Sequence, residues 1–76
     1  PILFAEYPVA VKKIDDKKWS IYVLGADHEV KIGLKGAAFT IMDERNNQLS
    51  SNGRHPEDNW EWYNIKPGIK YEITIK

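Results

Sequence analysis

The residues best suited to binding chemistry are three aromatic side chains near the carboxyl-terminal end of the sequence, Trp60, Trp62 and Tyr63. Side chains two positions apart share one face of a β-strand, so exposed Trp60 and Trp62 would form a stacking platform for sugar rings or bases. If both indoles faced solvent, Glu61 would face inward as a buried carboxylate with no identified partner, which is costly. We therefore expect both tryptophans in the core, with a sugar platform as the alternative. Tyr63 is then an exposed binding residue, together with Tyr22.

A second candidate binding surface is the polar segment from Leu49 to Asp58, which reads as the one long loop of the chain. Its charged residues are Arg54, His55, Glu57 and Asp58. Recognition in β proteins often lies on such loops, because a rigid scaffold positions them. These four residues therefore join the candidate binding surface, although a solvated connector is the simpler interpretation.

Basic residues surround the first predicted turn and define an alternative nucleic-acid surface. It comprises Lys12, Lys13, Lys17, Lys18 and Trp19, with Tyr22 nearby. A positively charged groove beside an aromatic residue is how a small barrel holds a single strand. However, Asp15 and Asp16 cancel half of this charge, and the chain has 11 basic and 11 acidic residues. We prefer the interpretation that these lysines protect an edge strand against aggregation.

Catalytic and metal-binding patterns are absent from the sequence. Its only histidines are His28 and His55, and it has no cysteine, so no recognised metal-ligand spacing and no disulfide occur. A phosphate-binding glycine loop and a nucleophile elbow are also missing. We expect no enzymatic activity, no catalytic residue, no metal and no cofactor.

The residues described above lie on or between six predicted β-strands. The clearest strand follows the Pro67-Gly68 turn, after which apolar residues alternate with polar ones at every position. The six strand-like runs are 2–14, 19–24, 29–35, 37–43, 60–65 and 69–75. Because proline cannot donate to a sheet ladder, Pro8 makes the first run either an edge strand or two short strands that meet at a bend.

Short strands at regular spacing in a chain of 76 residues predict one all-β domain spanning residues 1–76. We expect a small antiparallel β-sandwich of about six strands, of a reduced immunoglobulin-like type. The alternative is a small barrel of the SH3 or OB type, since both architectures accept the same alternation.

The segment Ile65-Lys66-Pro67-Gly68-Ile69-Lys70-Tyr71-Glu72-Ile73 resembles the corner before strand F in fibronectin type III and related immunoglobulin-like domains. The resemblance implies a structural role for Tyr71, whose hydroxyl would bond back to the corner backbone. Such domains continue into a further strand G, at the point where this sequence stops. The resemblance therefore implies a reduced sandwich or a strand supplied by a partner.

These observations favour a non-enzymatic protein-interaction or structural module, part of a larger assembly or multidomain protein. Its contact surfaces would be an exposed sheet edge and the loop from Leu49 to Asp58, and its partner another protein or a second copy. Single-stranded nucleic-acid binding and carbohydrate binding are the alternatives. No run approaches the length needed to cross a bilayer, so we expect a soluble domain without a membrane partner. The composition does not indicate a cellular compartment.

Overall fold

The computed structural model describes residues 2–51, 53–55 and 59–76, with residues 53–55 described by their backbone. These residues form eight β-strands. The strands are β1 (Ile2–Ala5), β2 (Val9–Asp15), β3 (Lys18–Val23), β4 (Val30–Lys35), β5 (Phe39–Met42), β6 (Gly53–His55), β7 (Trp60–Ile65) and β8 (Lys70–Ile75). The described residues contain no helix.

The strands form two antiparallel sheets of four strands each. Sheet A has the order β1-β4-β7-β6, and sheet B has the order β2-β3-β8-β5. Alternate residues of both sheets build one hydrophobic core, which comprises Ile21, Val23, Val30, Ile32, Leu34, Phe39, Ile41, Tyr63, Ile65, Tyr71 and Ile73. Because strand side chains alternate between faces, each sheet keeps one inner face on this core and one outer face toward solvent.

The predicted all-β, antiparallel class is confirmed, whereas the number of strands differs from the prediction. The run 2–14 forms two short strands on either side of a bend, which is one of the two alternatives predicted from Pro8, and β1 and β2 belong to different sheets. The segment predicted as one long loop contributes β6, which pairs with β7. The described strands fall into two sheets with separate edges rather than one closed barrel.

Strand β8 shows the predicted alternation and lies in the interior of its sheet. Tyr71 and Ile73 are buried, whereas Lys70 and Glu72 are exposed. The strand is paired on one side with β3 and on the other with β5. No open edge therefore remains beside β8 for a donated strand, because β3, from the amino-terminal half of the chain, already occupies that place.

The corner before β8 is fixed by hydrogen bonds between side chains and backbone. The backbone N–H of Lys66 donates to the Tyr71 hydroxyl at 2.9 Å, the kind of bond that the resemblance implies. Gly68 has a φ of 81°, a left-handed conformation that glycine adopts at little cost. The backbone N–H of Lys70 donates to Glu44 Oε1 at 2.8 Å, which ties the corner to the chain after β5.

Candidate functional site

Trp60 and Trp62 lie on the outer face of sheet A, so the expectation that they belong to the core is wrong. Both are partly exposed, and they alternate along β7 with buried Tyr63 and Ile65. The sequence argument failed at Glu61. Its side chain faces inward, as that argument required for exposed indoles, but it has a hydrogen-bond partner. The Tyr63 hydroxyl donates a hydrogen bond to Glu61 Oε2 at 3.0 Å, so the inward carboxylate is not left unpaired.

The two tyrosines predicted to be exposed lie in different environments. Tyr63 is only 3% exposed and belongs to the core, so its assignment to a binding surface is wrong. Tyr22 is 39% exposed and alternates with buried Ile21 and Val23, which places it on the outer face of sheet B. Tyr22 and the tryptophans are therefore on opposite outer faces and do not form a joint site.

Three aromatic side chains form what we call the outer aromatic cluster: Phe4, Trp60 and Trp62. The Trp60 and Trp62 rings are stacked, with centroids 5.5 Å apart and an interplanar angle of 20°. Phe4 lies on β1, which flanks β4 on the side opposite β7. Its ring contacts Trp62 edge to face at a centroid distance of 5.8 Å. Both arrangements are favourable for aromatic quadrupoles and hold the three rings in fixed relation.

Two lysines of β4 cover the faces of the stacked indoles. Lys31 Nζ lies 5.1 Å from the Trp62 ring centroid, and Lys35 Nζ lies 5.7 Å from that of Trp60. In the pairing of β4 with β7, Lys35 lies opposite Trp60 and Lys31 lies opposite Asn64. Asn64 is the next residue after Trp62 on the same face of β7. The groups therefore follow the strand direction in the order lysine, indole, indole, lysine, which is a favourable cation–π arrangement.

Gly33 makes room for this stack at the centre of the outer face. A Cβ atom at position 33 would lie 2.6 Å from Trp62 Cζ3 and 3.0 Å from Trp60 Cε3. The residue is nevertheless buried, because the two indoles lie over its backbone. The position thus requires the absence of a side chain, and the outer face has its own small packed layer.

The β1 edge of sheet A is open and carries no charged residue. Within the described residues β1 pairs only with β4. The N–H of Glu6 donates to the carbonyl of Lys31, and antiparallel bonding alternates from that pair, so the backbone groups of Leu3 and Ala5 point to the open edge. On the outer face, Ile2 is 57% exposed and Phe4 is 47% exposed.

The other edges whose side chains are described are protected. Strand β2 contains Lys12, Lys13 and Asp15 and has an irregular register between Lys13 and Asp15. At β5, the N–H of Leu49 donates to the carbonyl of Ile41 at 2.8 Å, so a neighbouring segment covers part of that edge. Charge, irregularity and covering are the usual means of blocking strand addition, and β1 has none of them.

An apolar cleft opens between the sheets beside β1. The cleft has a volume of about 190 Å³. Sheet A lines it with Ile2, Leu3 and Leu34. Sheet B lines it with Val11, Trp19, Phe39 and Ile73. All four strands of sheet B contribute a residue, so the cleft extends between the sheets from the β2 edge to β5, and β1 borders it on the side of sheet A.

The lysines of the alternative nucleic-acid surface do not converge. Lys13 pairs across the sheet with Trp19, on the face that carries the core residues, whereas Lys12 alternates to the opposite face. Two of the lysines form ion pairs instead: Lys13 Nζ lies 3.5 Å from Asp16 Oδ1, and Lys18 Nζ lies 3.9 Å from Glu72 Oε1. Trp19 lines the apolar cleft rather than a basic groove.

The candidate residues of the segment from Leu49 to Asp58 are only partly described. The backbones of Arg54 and His55 belong to β6, where Arg54 pairs with Glu61 and His55 with Trp60. Glu57 and Asp58 lie outside the described residues. This prediction of a binding loop therefore stays a prediction.

The carboxyls of Asp27 and Asp43 have lowered pKa values, and both residues lie outside the cluster and the cleft. A hydrogen bond to His28, whose Nδ1 lies 2.9 Å from Asp27 Oδ1, lowers the pKa of Asp27. The backbone N–H of Asn47 donates to Asp43 and lowers the pKa of that carboxyl. These shifts are accounted for by local turn structure.

Within the described residues, no group of three or more histidine and acidic side chains is placed to hold a metal ion. The same residues include no helix that is long and apolar enough to cross a membrane.

Sequence reasoning missed four residues of this site, Ile2, Phe4, Lys31 and Lys35. One signal was available: residues 2–5 read Ile-Leu-Phe-Ala, an uncharged run that ends before Pro8. Pro8 offered an edge strand as one of two alternatives for this run, and the strand order then placed β1 at the edge of sheet A.

Comparisons with protein-family models, with characterised proteins and with solved structures each gave no match.

Proposed function

We propose that this chain is a non-enzymatic protein-interaction module that binds an extended segment of a partner protein along β1. The observation that carries the proposal is the uncharged open edge formed by Ile2–Ala5. A segment added there would continue sheet A and bond to the outward backbone groups of Leu3 and Ala5. Strand addition of this kind takes its affinity from main-chain hydrogen bonds and its specificity from alternate side chains.

The surfaces on both sides of the β1 edge support the proposal. On the outer side, Ile2 and Phe4 offer exposed apolar area that continues into the outer aromatic cluster. On the inner side, Leu3 lines the apolar cleft, which Ile2 also borders at the end of β1. An added strand presents side chains alternately to both sides, so each row would meet apolar protein surface.

The architecture that supports this edge is, in our proposal, a reduced immunoglobulin-like β-sandwich. Two antiparallel sheets with a shared core and a tyrosine hydroxyl bonded to the Lys66 backbone support this assignment. The position next to β8 is occupied by β3. We therefore place the partner strand at β1 and not beside β8.

Blocking the edge donor should weaken binding of an added strand. We expect Ala5→Pro to weaken it about tenfold, because proline removes the outward N–H while the bonds of β1 to β4 stay in place. Peptides would be selected from a displayed library of random eight-residue segments, and their Kd measured by fluorescence anisotropy. Hydrogen exchange should show slower exchange of the Leu3 and Ala5 amides in the complex.

Ala5→Ser is the matched control, because serine keeps the backbone N–H and has a side chain of similar size. The Kd of this variant should equal that of the wild type. If Ala5→Pro fails to fold, N-methylalanine at position 5, introduced by chemical synthesis, removes the same hydrogen. The proposal is wrong if the library yields no binder, or if the selected peptides bind the blocked protein as tightly as the wild type.

Carbohydrate binding is a second candidate, favoured by the outer-face position of Trp60 and Trp62. We expect an oligosaccharide to contact Phe4 and the exposed edges of the two indoles, because the indole faces already contact each other and the lysines. Trp62→Leu should then abolish binding on a glycan array, whereas Tyr22→Phe on the opposite sheet should not change it. An array without a binder excludes this candidate.

A further inference from the structure

We infer that the apolar cleft is an anchor pocket, which takes one large apolar side chain of the strand bound at β1. This inference rests on the proposed function and specifies the chemistry of the partner segment. The segment would be extended and would carry a leucine, methionine or phenylalanine at a position that faces inward.

The lining of the cleft favours an apolar occupant. Every residue that lines it is aliphatic or aromatic, and the indole N–H of Trp19 is the one side-chain hydrogen-bonding group among them, so a polar group placed there would lose most of its hydration with little compensation. Its volume of about 190 Å³ suits one side chain rather than a large ligand. An enclosed apolar cavity of roughly 150 Å³ holds a benzene molecule, so the volume of this open cleft is sufficient for an aromatic ring.

The position of the cleft matches the path of an added strand. Leu3, whose backbone groups point to the open edge, also lines the cleft with its side chain. A strand paired to β1 directs every second side chain to the inner side of the sheet. At least one such side chain would point between the sheets, where Val11 is 48% exposed and uncovered by sheet A.

A second copy of this chain fits the cleft less well than a partner segment. If two β1 strands paired, the inward side chains of the second copy would be Leu3 and Ala5. Both already pack against the core of their own molecule, so they are not available to fill the cleft of another. The side chains of a segment from a different protein are not packed in the core of a second copy. We therefore assign the pocket to such a segment.

The test compares the wild type with Val11→Phe, in which the larger ring fills the cleft, and with Ile14→Phe as a control. Ile14 lies on the same strand, is 48% exposed and does not line the cleft. Toluene serves as the first probe, followed by methyl NMR. We expect it to shift the Leu3 and Leu34 methyl signals in the wild type and in Ile14→Phe, but not in Val11→Phe.

The second probe is the set of peptides selected on the wild type. We expect a large apolar residue at one fixed position, an affinity at least tenfold weaker for Val11→Phe, and an unchanged affinity for Ile14→Phe. Replacing that peptide residue with alanine should weaken binding to the wild type by the same factor and have little effect with Val11→Phe.

The outcomes separate the anchor pocket from the proposed function. If Ala5→Pro weakens the peptides and Val11→Phe does not, strand addition is right and the anchor is wrong. A library without binders overturns both, even if toluene binds in the cleft. If sedimentation shows a dimer that Ala5→Pro abolishes and Val11→Phe leaves intact, the edge serves self-association and the anchor pocket is wrong.

Discussion

Replacing Gly33 with valine is expected to destabilise the domain by about 2 kcal/mol, although valine is ordinarily favoured in strands. The first added atom would lie 2.6 Å from Trp62 and 3.0 Å from Trp60, so both indoles must move outward. Their movement separates the stacked pair and breaks the contact with Phe4. Thermal and urea unfolding would measure the loss, and the near-ultraviolet circular dichroism of the indole pair should decrease with it.

Asn64→Val is the matched control, because Asn64 is an exposed residue on the same face of sheet A. There the same side chain should be neutral or slightly stabilising. A double-mutant cycle with Trp62→Leu gives the sharper test, since removal of the indole should remove most of the Gly33→Val penalty. Equal penalties in both backgrounds would show that the indoles do not depend on the glycine.

Replacing Tyr71 with phenylalanine should lower the free energy of unfolding by about 1.5 kcal/mol, because the N–H of Lys66 loses its partner in a part-buried hydrogen bond. The hydroxyl accepts the Lys66 N–H at 2.9 Å, and the side chain is only 3% exposed, so water cannot readily replace it. In a domain of this size that loss is a large share of the total, on the order of a third of about 3–5 kcal/mol. Urea denaturation followed by tryptophan fluorescence would measure it.

Tyr22→Phe serves as the control on the neighbouring strand, where the hydroxyl belongs to a side chain that is 39% exposed. Its effect should stay within about 0.5 kcal/mol, as for most surface substitutions. Hydrogen exchange adds a local readout, because the Lys66 amide should lose protection in Tyr71→Phe alone. Unchanged protection of that amide would contradict the structural role of the tyrosine.

The two variants test different layers of the same molecule. Tyr71 contributes to the core between the sheets, whereas Gly33 supports a second, thinner layer on the outer face of sheet A. Because Tyr71 does not lie in the proposed contact with the partner segment, its effect on stability is separable from the effects of Ala5→Pro and Val11→Phe on binding. Gly33→Val also displaces the neighbours of Phe4 on β1, so it is a test of the outer layer alone.

The sequence by itself determined most of the strands of this protein and the turn before β8. A period of two assigned β4, β7 and β8, because alternation is imposed by the backbone of an extended chain and needs no tertiary information. Pro67 and Gly68 predicted the turn before β8, since those residues act on their own local backbone. Pro8 likewise marked a break, because proline cannot donate to a ladder.

Only the tertiary structure decided which face of β7 is buried. Alternation defines two faces of β7, with Trp60 and Trp62 on one and Tyr63 and Ile65 on the other. It does not show which face is buried, because both carry large apolar side chains. The choice depends on Gly33, which leaves room for the indoles and comes from a strand distant in sequence. The open edge at β1 depends in the same way on strand order. Both are properties of neighbours that the chain brings together only when it folds.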